Sequence, residues 1–444
     1  MRGILIKKLI EWLFYAVAFT LPLLQESWNS KIIVLLALLS LLSIKPLDLW
    51  RRIKSNKIYW LFSSLFLLDV IGLIPSDNIQ GGLGYLETKA SVIVFPLVVL
   101  AAASSLTKQI IRNICRAFAL GVLTVLFGYF FILLSTSLKT GFDIDYWFQD
   151  RLTSIPLIAN ATFNIHPSYL SLYITFCIFC VFEELRTIHT KWAQLLYGIV
   201  LLVFLASQLW LNSRMGLIGF MIVGIFYIAY RANKKQKLIV GVGAVAFIII
   251  LSALPFAQER FILAPLRAIQ HAGQVNATDA DSWPIAFRVQ IYDCSIHLLK
   301  NNHWLAGYGT GDSKDKLNEC YREMNYGWLV ARRPDAHNEY FAQLHRHGIG
   351  GLALFLICLI IPFRKAVQGD DVVYAAFILL FALSCLSENL LSSQKGVAFY
   401  SLFNSLLCLR PVLSSMDQSD NEPLNPKVLS PGQTDTPKTQ VDVQ

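Results

Sequence analysis

The sequence predicts an all-α integral membrane protein with about twelve transmembrane helices and a large helical loop between the ninth and the tenth. Of the 444 residues, 55% are hydrophobic and only 15% are charged, a balance that is rare in soluble chains of this length. Twelve apolar segments are long enough to cross a bilayer, some of them marginally. They lie near 9–25, 31–47, 58–75, 90–105, 113–135, 168–183, 193–212, 215–231, 237–256, 348–364, 372–388 and 397–413.

The basic residues set the expected orientation of these spans. The first segment follows Arg2, Lys7 and Lys8 and has no small-residue cleavage site, so we interpret it as a retained span and not a signal peptide. One set of short loops holds twenty lysines and arginines, and the opposite set holds six. With twelve alternating spans, both termini lie in the cytoplasm. The net charge of +9 mostly reflects this bias and does not indicate nucleic-acid binding.

Four regions follow from this arrangement. Residues 1–256 carry the first nine spans, 257–347 form the large outside loop, and 348–413 carry the last three spans. The tail 414–444 is rich in Pro, Ser, Asp, Gln and Thr, and we expect it to be disordered in the cytoplasm. The loop has ten basic and ten acidic residues, so it is neutral overall and large enough for a structured cap.

Within the loop, Trp283-Pro284 begins a predicted helix over 285–300. Its apolar positions repeat at helical spacing and include Phe287, Ile291, Cys294 and Leu298, while Arg288 falls on a neighbouring face. The glycine run 307–311 either presents backbone N–H groups to a phosphate or is a tight turn before a short helix over 312–323. Cys294 and Cys320 both lie in this outside loop, so they form either a disulfide or two buried free thiols.

His337 is the candidate general base. Asp335 is a good N-cap candidate, which puts His337 in the first turn of a helix just before the chain re-enters the membrane. The positive end of the helix dipole favours a neutral imidazole, which can take a proton near neutral pH. The alternative is a histidine that only caps the helix. His345 and His347 lack metal-ligand spacing, and we expect both at the membrane interface.

Several other polar residues stand out along the outside edge of the spans. Arg214 lies in a tight outside turn against the orientation bias, where its forked donors suit a phosphate; the alternative is contact with lipid headgroups. His166 starts the sixth span, and Glu388 lies in the last outside loop. Asp69, inside the third span, is either a buried structural acid or part of a proton pathway. Two Asp-x-Asp pairs have the spacing of some metal sites but arise often by chance: Asp143/Asp145 and Asp279/Asp281.

Taken in order, these elements resemble the O-antigen ligase and polymerase superfamily of bacterial envelope proteins. The resemblance covers roughly residues 160–410. Each motif alone is loose, whereas the ordered set is specific to the superfamily. The motifs are His166-Pro167-Ser168-Tyr169, Ser213-Arg214, Arg288 in its helix, His337-Asn338-Glu339-Tyr340, and Glu388 with Gln394-Lys395-Gly396.

The resemblance implies a GT-C-like membrane glycosyltransferase whose active site faces the periplasm of a bacterial inner membrane. The donor would be a glycan on undecaprenyl diphosphate, and a ligase would move it to a sugar hydroxyl of lipid A–core. By resemblance, Arg214 and Arg288 hold the diphosphate and His337 is the base, in an inverting reaction without metal or cofactor. The expected supporting residues are His166, Asn338, Tyr340 and Glu388.

Other functions remain open at this point. A polymerase would use the same donor with a second lipid-linked glycan as acceptor, and a protein O-oligosaccharyltransferase would use protein hydroxyls. A flippase for the lipid-linked glycan would place charged or broken helices near mid-membrane in paired halves. A non-catalytic scaffold would tolerate the loss of His337. The candidate polar residues gather on one outside face, which favours a one-sided enzyme.

Overall fold

The structure is a computed structural model that describes residues 2–141, 165–211, 213–235, 262–270, 283–300 and 303–409, together with positions 238, 241 and 258. These ranges are helical and contain no β-strand. Their helices are α1 (Arg2–Thr20), α2 (Glu26–Leu42), α3 (Pro46–Ser55), α4 (Lys57–Ile71), α5 (Ile79–Lys89), α6 (Ser91–Ala101), α7 (Lys108–Thr140), α8 (Pro167–Thr187), α9 (Lys191–Trp210), α10 (Arg214–Arg231), α11 (Ala264–Gln270), α12 (Trp283–Leu299), α13 (His303–Ala306), α14 (Ser313–Glu323), α15 (Gly327–Arg332), α16 (Glu339–Gln368), α17 (Val372–Ser384) and α18 (Gln394–Cys408).

Six helical stretches in the described ranges are long and apolar enough to cross a membrane: α5 with α6, and then α7, α8, α9, α10 and α16. The number becomes seven if α2 and α3, which bend by 104° relative to each other, form one broken span. The chain is therefore a multi-pass helical membrane protein. The predicted count of twelve is not established by these helices, and the ninth predicted segment, 237–256, lies almost wholly outside the described residues.

One predicted loop position is wrong. Lys89 is one of the six basic residues assigned above to the outside set of short loops, but it closes α5 inside the stretch Ile79–Ala101 and its side chain is fully buried. Gly82 of α5 permits close packing in the structure. A Cβ on Gly82 would lie 2.1 Å from Cδ2 of Leu73, so a larger residue there would displace its neighbour.

An aromatic core fixes the ends of the helices that border the site. Phe118 of α7 packs against Tyr173 of α8 and Phe403 of α18, with ring centroids 5.2 Å and 4.8 Å away. Such pairs contribute about 0.5–1.5 kcal/mol each beyond their buried area. The Tyr173 hydroxyl donates a hydrogen bond of 2.9 Å to the carbonyl of Lys395. The beginnings of α8 and α18 are therefore held together.

Helices α12 to α15 form a small second core beside the spans. The predicted helix 285–300 is observed as α12, and the predicted short helix 312–323 is observed as α14. Cys294 and Cys320 are bonded to each other, with their Cα atoms 5.7 Å apart, and this disulfide ties α12 to α14. The apolar repeat of α12 is buried against α14 and α15 as its spacing predicts, through Phe287, Ile291, Cys294, Leu298, Leu317, Tyr321 and Leu329.

The glycine run that precedes α14 is a packed turn. The N–H groups of Tyr308 and Gly309 donate to the carbonyls of His345 and Arg346, at 2.7 Å and 2.9 Å. The Thr310 N–H donates to the Gly72 carbonyl at 2.9 Å. These donors are already used within the protein, which favours the tight-turn interpretation over a phosphate cradle. The turn therefore links the C-terminal end of α4 to the first part of α16 through backbone hydrogen bonds.

Candidate active site

The chain around His337 differs from the predicted helix start. Asn338, not Asp335, is the N-cap of α16, because its Oδ1 accepts from the N–H groups of Tyr340 and Phe341 at 2.9 Å and 3.2 Å. The Asp335 carboxylate instead lies 3.2 Å from Nζ of Lys314. Because the amide oxygen of Asn338 accepts from two backbone N–H groups, Asn338 is the N-cap, and Asp335, three positions earlier, is not.

His337 therefore precedes the helix, and its backbone is left-handed with φ of 46°. Such a conformation is sparsely populated outside glycine and usually persists where surrounding contacts impose it. Those contacts are present here. The Asn338 N–H donates to Oδ1 of Asn389 at 2.6 Å, and the Tyr292 hydroxyl donates to the His337 carbonyl at 3.3 Å. Both sides of His337 are thus fixed to neighbouring elements.

Glu388 brings two of the predicted site residues, Arg288 and His337, together. It lies in the loop between α17 and α18, and its side chain is 9% exposed. Oε1 accepts a hydrogen bond of 2.9 Å from Nη2 of Arg288 on α12, while Oε2 lies 3.5 Å from Nδ1 of His337. One carboxylate therefore contacts both the candidate base and a candidate phosphate ligand.

The charge of Glu388 is maintained by these neighbours. Burial alone would raise the pKa of its carboxyl, but the hydrogen bond with His337 and the charge of Arg288 outweigh burial and lower the pKa to about 2. Glu388 is therefore ionised at neutral pH. An ionised carboxylate at Nδ1 can orient the imidazole so that Nε2 is the nitrogen available to a substrate.

The loop that carries Glu388 is anchored on both sides. The Glu339 N–H donates to the carbonyl of Cys385 at 2.9 Å, and Nδ2 of Asn338 donates to the carbonyl of Leu386 at 3.1 Å. The Tyr340 hydroxyl donates to the carbonyl of Ala382 on α17 at 2.9 Å. Asn338 and Tyr340 thus support the site from behind, through the backbone of the segment that leads to Glu388.

His166 and Arg214 begin two adjacent helices at the same end of the bundle. His166 caps α8, since its Nδ1 accepts from the Ser168 N–H at 3.3 Å, and it lies within electrostatic range of Glu388. Arg214 is the first residue of α10, two positions before Gly216. A Cβ on Gly216 would lie 1.8 Å from Oγ of Ser171 on α8, so glycine permits this close approach.

The two histidines expected at the membrane interface are buried among protein groups. Nε2 of His347 lies 2.8 Å from Oδ1 of Asp69, and Nε2 of His345 lies 3.1 Å from the carbonyl of Ser295. Asp69 also lies 2.6 Å from Nζ of Lys89, and neither side chain is exposed. The glycine turn packs against this part of α16 through its bonds to the carbonyls of His345 and Arg346. Asp69 is therefore a buried acid with two partners, Lys89 and His347.

Sequence reasoning missed a second polar group beside the site. Arg346 has a 7% exposed side chain that donates to the hydroxyls of Tyr85 and Ser392 at 2.5 Å and 2.7 Å and lies 3.5 Å from Glu339. Glu339 also accepts from the Leu391 N–H at 3.0 Å. The available signal was two opposite charges seven residues apart on a helix that enters the membrane.

Both predicted Asp-x-Asp pairs lie outside the described residues, and the described part holds no cluster of metal-ligand type.

Comparison with known proteins agrees with the motifs. The sequence profile of a family described as O-antigen ligase matches residues 199–356, a stretch that contains Arg214, Arg288 and His337. No match is found among curated proteins. The profile ends before Glu388, so it supports the family without including that residue in the match. Together with the apolar helices, this match over about a third of the chain supports the O-antigen ligase family, whose members are in general membrane glycosyltransferases that use a lipid-linked glycan donor.

Proposed function

We propose that this protein is an O-antigen ligase of the bacterial inner membrane, with both termini in the cytoplasm and its active site on the periplasmic face. It transfers a glycan from undecaprenyl diphosphate to a sugar hydroxyl of lipid A–core. The single observation that carries the proposal is the buried carboxylate of Glu388, which contacts Arg288 and His337 within one outside cluster.

His337 is the proposed general base. A sugar hydroxyl is a weak nucleophile, and removal of its proton during attack contributes roughly 10²–10⁴ in rate. Glu388 at Nδ1 leaves Nε2 to accept that proton. The acceptor oxygen forms a bond to the anomeric carbon as the bond from that carbon to the diphosphate oxygen breaks. Attack on the face opposite the leaving group inverts the anomeric centre.

Arg288 and Arg214 are the proposed ligands of the leaving diphosphate. Arg288 keeps its contact with Glu388 through one nitrogen, and its side chain is 29% exposed, so other donors of the guanidinium remain for phosphate oxygens. Two guanidinium groups would offset the negative charge that grows as the glycosidic bond breaks. The diphosphate is already a good leaving group, and this mechanism uses no metal ion.

A gel of lipopolysaccharide from a deletion strain tests the proposal when the strain carries either the wild-type gene or His337→Ala. A ligase predicts bare lipid A–core, with long glycans accumulating on undecaprenyl diphosphate, and rescue by wild type alone. Cores that keep a single repeat unit while the ladder disappears would identify a polymerase. Unaltered envelope glycans with His337→Ala would contradict a catalytic role for this histidine.

A further inference from the structure

A cleft of about 500 Å³ borders the Glu388 cluster on a side that the proposed chemistry does not use. It lies between α5, α14, α15 and the beginning of α16. Ala336 and Asn389 both line it, and they are the sequence neighbours of His337 and Glu388. The cleft therefore shares a wall with the candidate base, although neither Arg288 nor Arg214 lines it.

The lining of this cleft carries a positive charge. Among the described lining residues, Lys314 pairs with Asp335 at 3.2 Å, and Arg333 pairs with Asp315. Arg332 adds a further cation. Its guanidinium lies 4.8 Å from the ring centroid of Trp328, which holds it near the α15 end of the cleft.

A second, buried cation also lines the cleft. The guanidinium of Arg346 stacks on the ring of Tyr85 at 4.2 Å and donates to the Tyr85 and Ser392 hydroxyls. Glu339 lies 3.5 Å from this guanidinium and also accepts a hydrogen bond from Gln343. These contacts fix the guanidinium before any ligand arrives, which is how binding sites for anions limit the loss of side-chain entropy.

The remaining lining suits a sugar. Hydroxyl and amide groups surround the cations and can both donate to and accept from sugar hydroxyls. They come from three places in the fold, namely α5 with its N-cap, α14, and the loop between α17 and α18, so they face the same space from different directions. These residues are Asn78, Tyr85, Thr88, Ser313, Asn389 and Ser392.

We infer that this cleft is the acceptor subsite, and that it binds a saccharide carrying an anionic group such as phosphate. The cations hold the anionic group, the polar lining holds the neighbouring sugar, and the reacting hydroxyl reaches His337 past Ala336 and Asn389. The inference rests on the proposed function. It also separates the two substrates, because Arg288 and Arg214 serve the donor while Arg332, Lys314 and Arg346 serve the acceptor.

Steady-state kinetics of the full-length protein with Arg332→Gln and Lys314→Gln tests the subsite. Both side chains are at an exposed rim, so the variants should fold, and Arg322→Gln on α14 is the matched control because Arg322 is exposed and does not line the cleft. We expect the KM for lipid A–core to rise about tenfold in the double variant, the size expected for a lost charge-assisted contact. The KM for the donor and kcat should stay within about twofold of wild type. With lipid A–core stripped of its phosphates, wild type and variant should have the same KM.

An unchanged acceptor KM in the double variant would overturn the inference. A rise in the donor KM alone would overturn it too, since the cleft would then serve the donor diphosphate.

A binding measurement separates this inference from the proposed function. Core oligosaccharide released from its lipid, with and without phosphates, would be titrated calorimetrically into the full chain in micelles. Tight binding of the phosphorylated form that is lost in the double variant supports the subsite even if the protein transfers no glycan. Equal binding of both forms to wild type contradicts the subsite even if transfer is observed.

Discussion

Oε1 of Glu388 lies 2.9 Å from Nη2 of Arg288, although the two residues are one hundred positions apart in the chain. The other oxygen of the same carboxylate lies 3.5 Å from Nδ1 of His337. A buried carboxylate therefore sets the positions of a candidate base and a candidate phosphate ligand together. Its removal should disturb both, even though Glu388 itself need not touch either substrate.

Glu388→Gln should lower kcat roughly 10²-fold, because the neutral amide no longer holds the imidazole through a charge-assisted contact. The substitution keeps the size of the side chain, so the protein should still fold and insert. Single-turnover transfer by purified protein measures the effect. Glu323→Gln, an exposed carboxylate on α14, is the control. Wild-type kcat in Glu388→Gln would exclude an orienting role.

The pH dependence of stability should report the same carboxylate. The fold lowers the pKa of Glu388 to about 2, so its ionised form stabilises the folded state. This contribution is complete above the unfolded-state pKa of about 4.3 and is lost as the pH falls toward 2. The difference in unfolding free energy between wild type and Glu388→Gln should be constant from pH 7 to 5 and shrink below that. A difference that grows on acidification would contradict the assignment.

Arg288→Gln should weaken donor binding at least tenfold and also lower kcat, since the guanidinium contacts charge that grows in the transition state. Equilibrium binding of an undecaprenyl diphosphate glycan checks the first effect, and turnover checks the second. Arg322→Gln should change neither quantity. Unchanged donor affinity and rate in Arg288→Gln would count against a diphosphate role.

Lys89→Met should destabilise the protein by about 3–5 kcal/mol, because it leaves the carboxylate of Asp69 buried without its closest cation. Replacement of both partners, as Asp69→Leu with Lys89→Met, should recover much of this loss, since no unpaired charge remains. Unfolding in mixed micelles compares the single and double variants. If the single variant is as stable as wild type, the pair has no structural importance.

The sequence predicted the parts of this protein that depend on local pattern. The apolar repeat of α12 identified its buried face, and the order of Arg214, Arg288 and His337 led to the family that the profile match supports. The resemblance and the position of Glu388 in the last outside loop placed it among the supporting residues.

Long-range contacts account for what the sequence missed. Helix α16 begins after Asn338 and not after Asp335, because the Asn338 amide accepts from two backbone N–H groups. The N-cap propensities of asparagine and aspartate do not distinguish these two positions. The sequence places Lys89 and His347 near the edges of predicted membrane spans. Their burial is explained by contact with Asp69, which is distant from both in the chain. The cleft beside Arg346 likewise depends on helices that are far apart in sequence.

Glycan transfer by purified His337→Ala tests the central claim most directly. The assay would use an undecaprenyl diphosphate glycan and lipid A–core, with His297→Ala, an exposed histidine on α12, as the control. We expect turnover to fall roughly 10²–10⁴-fold while donor binding and thermal unfolding stay close to wild type. Wild-type turnover by His337→Ala would contradict its role as the general base.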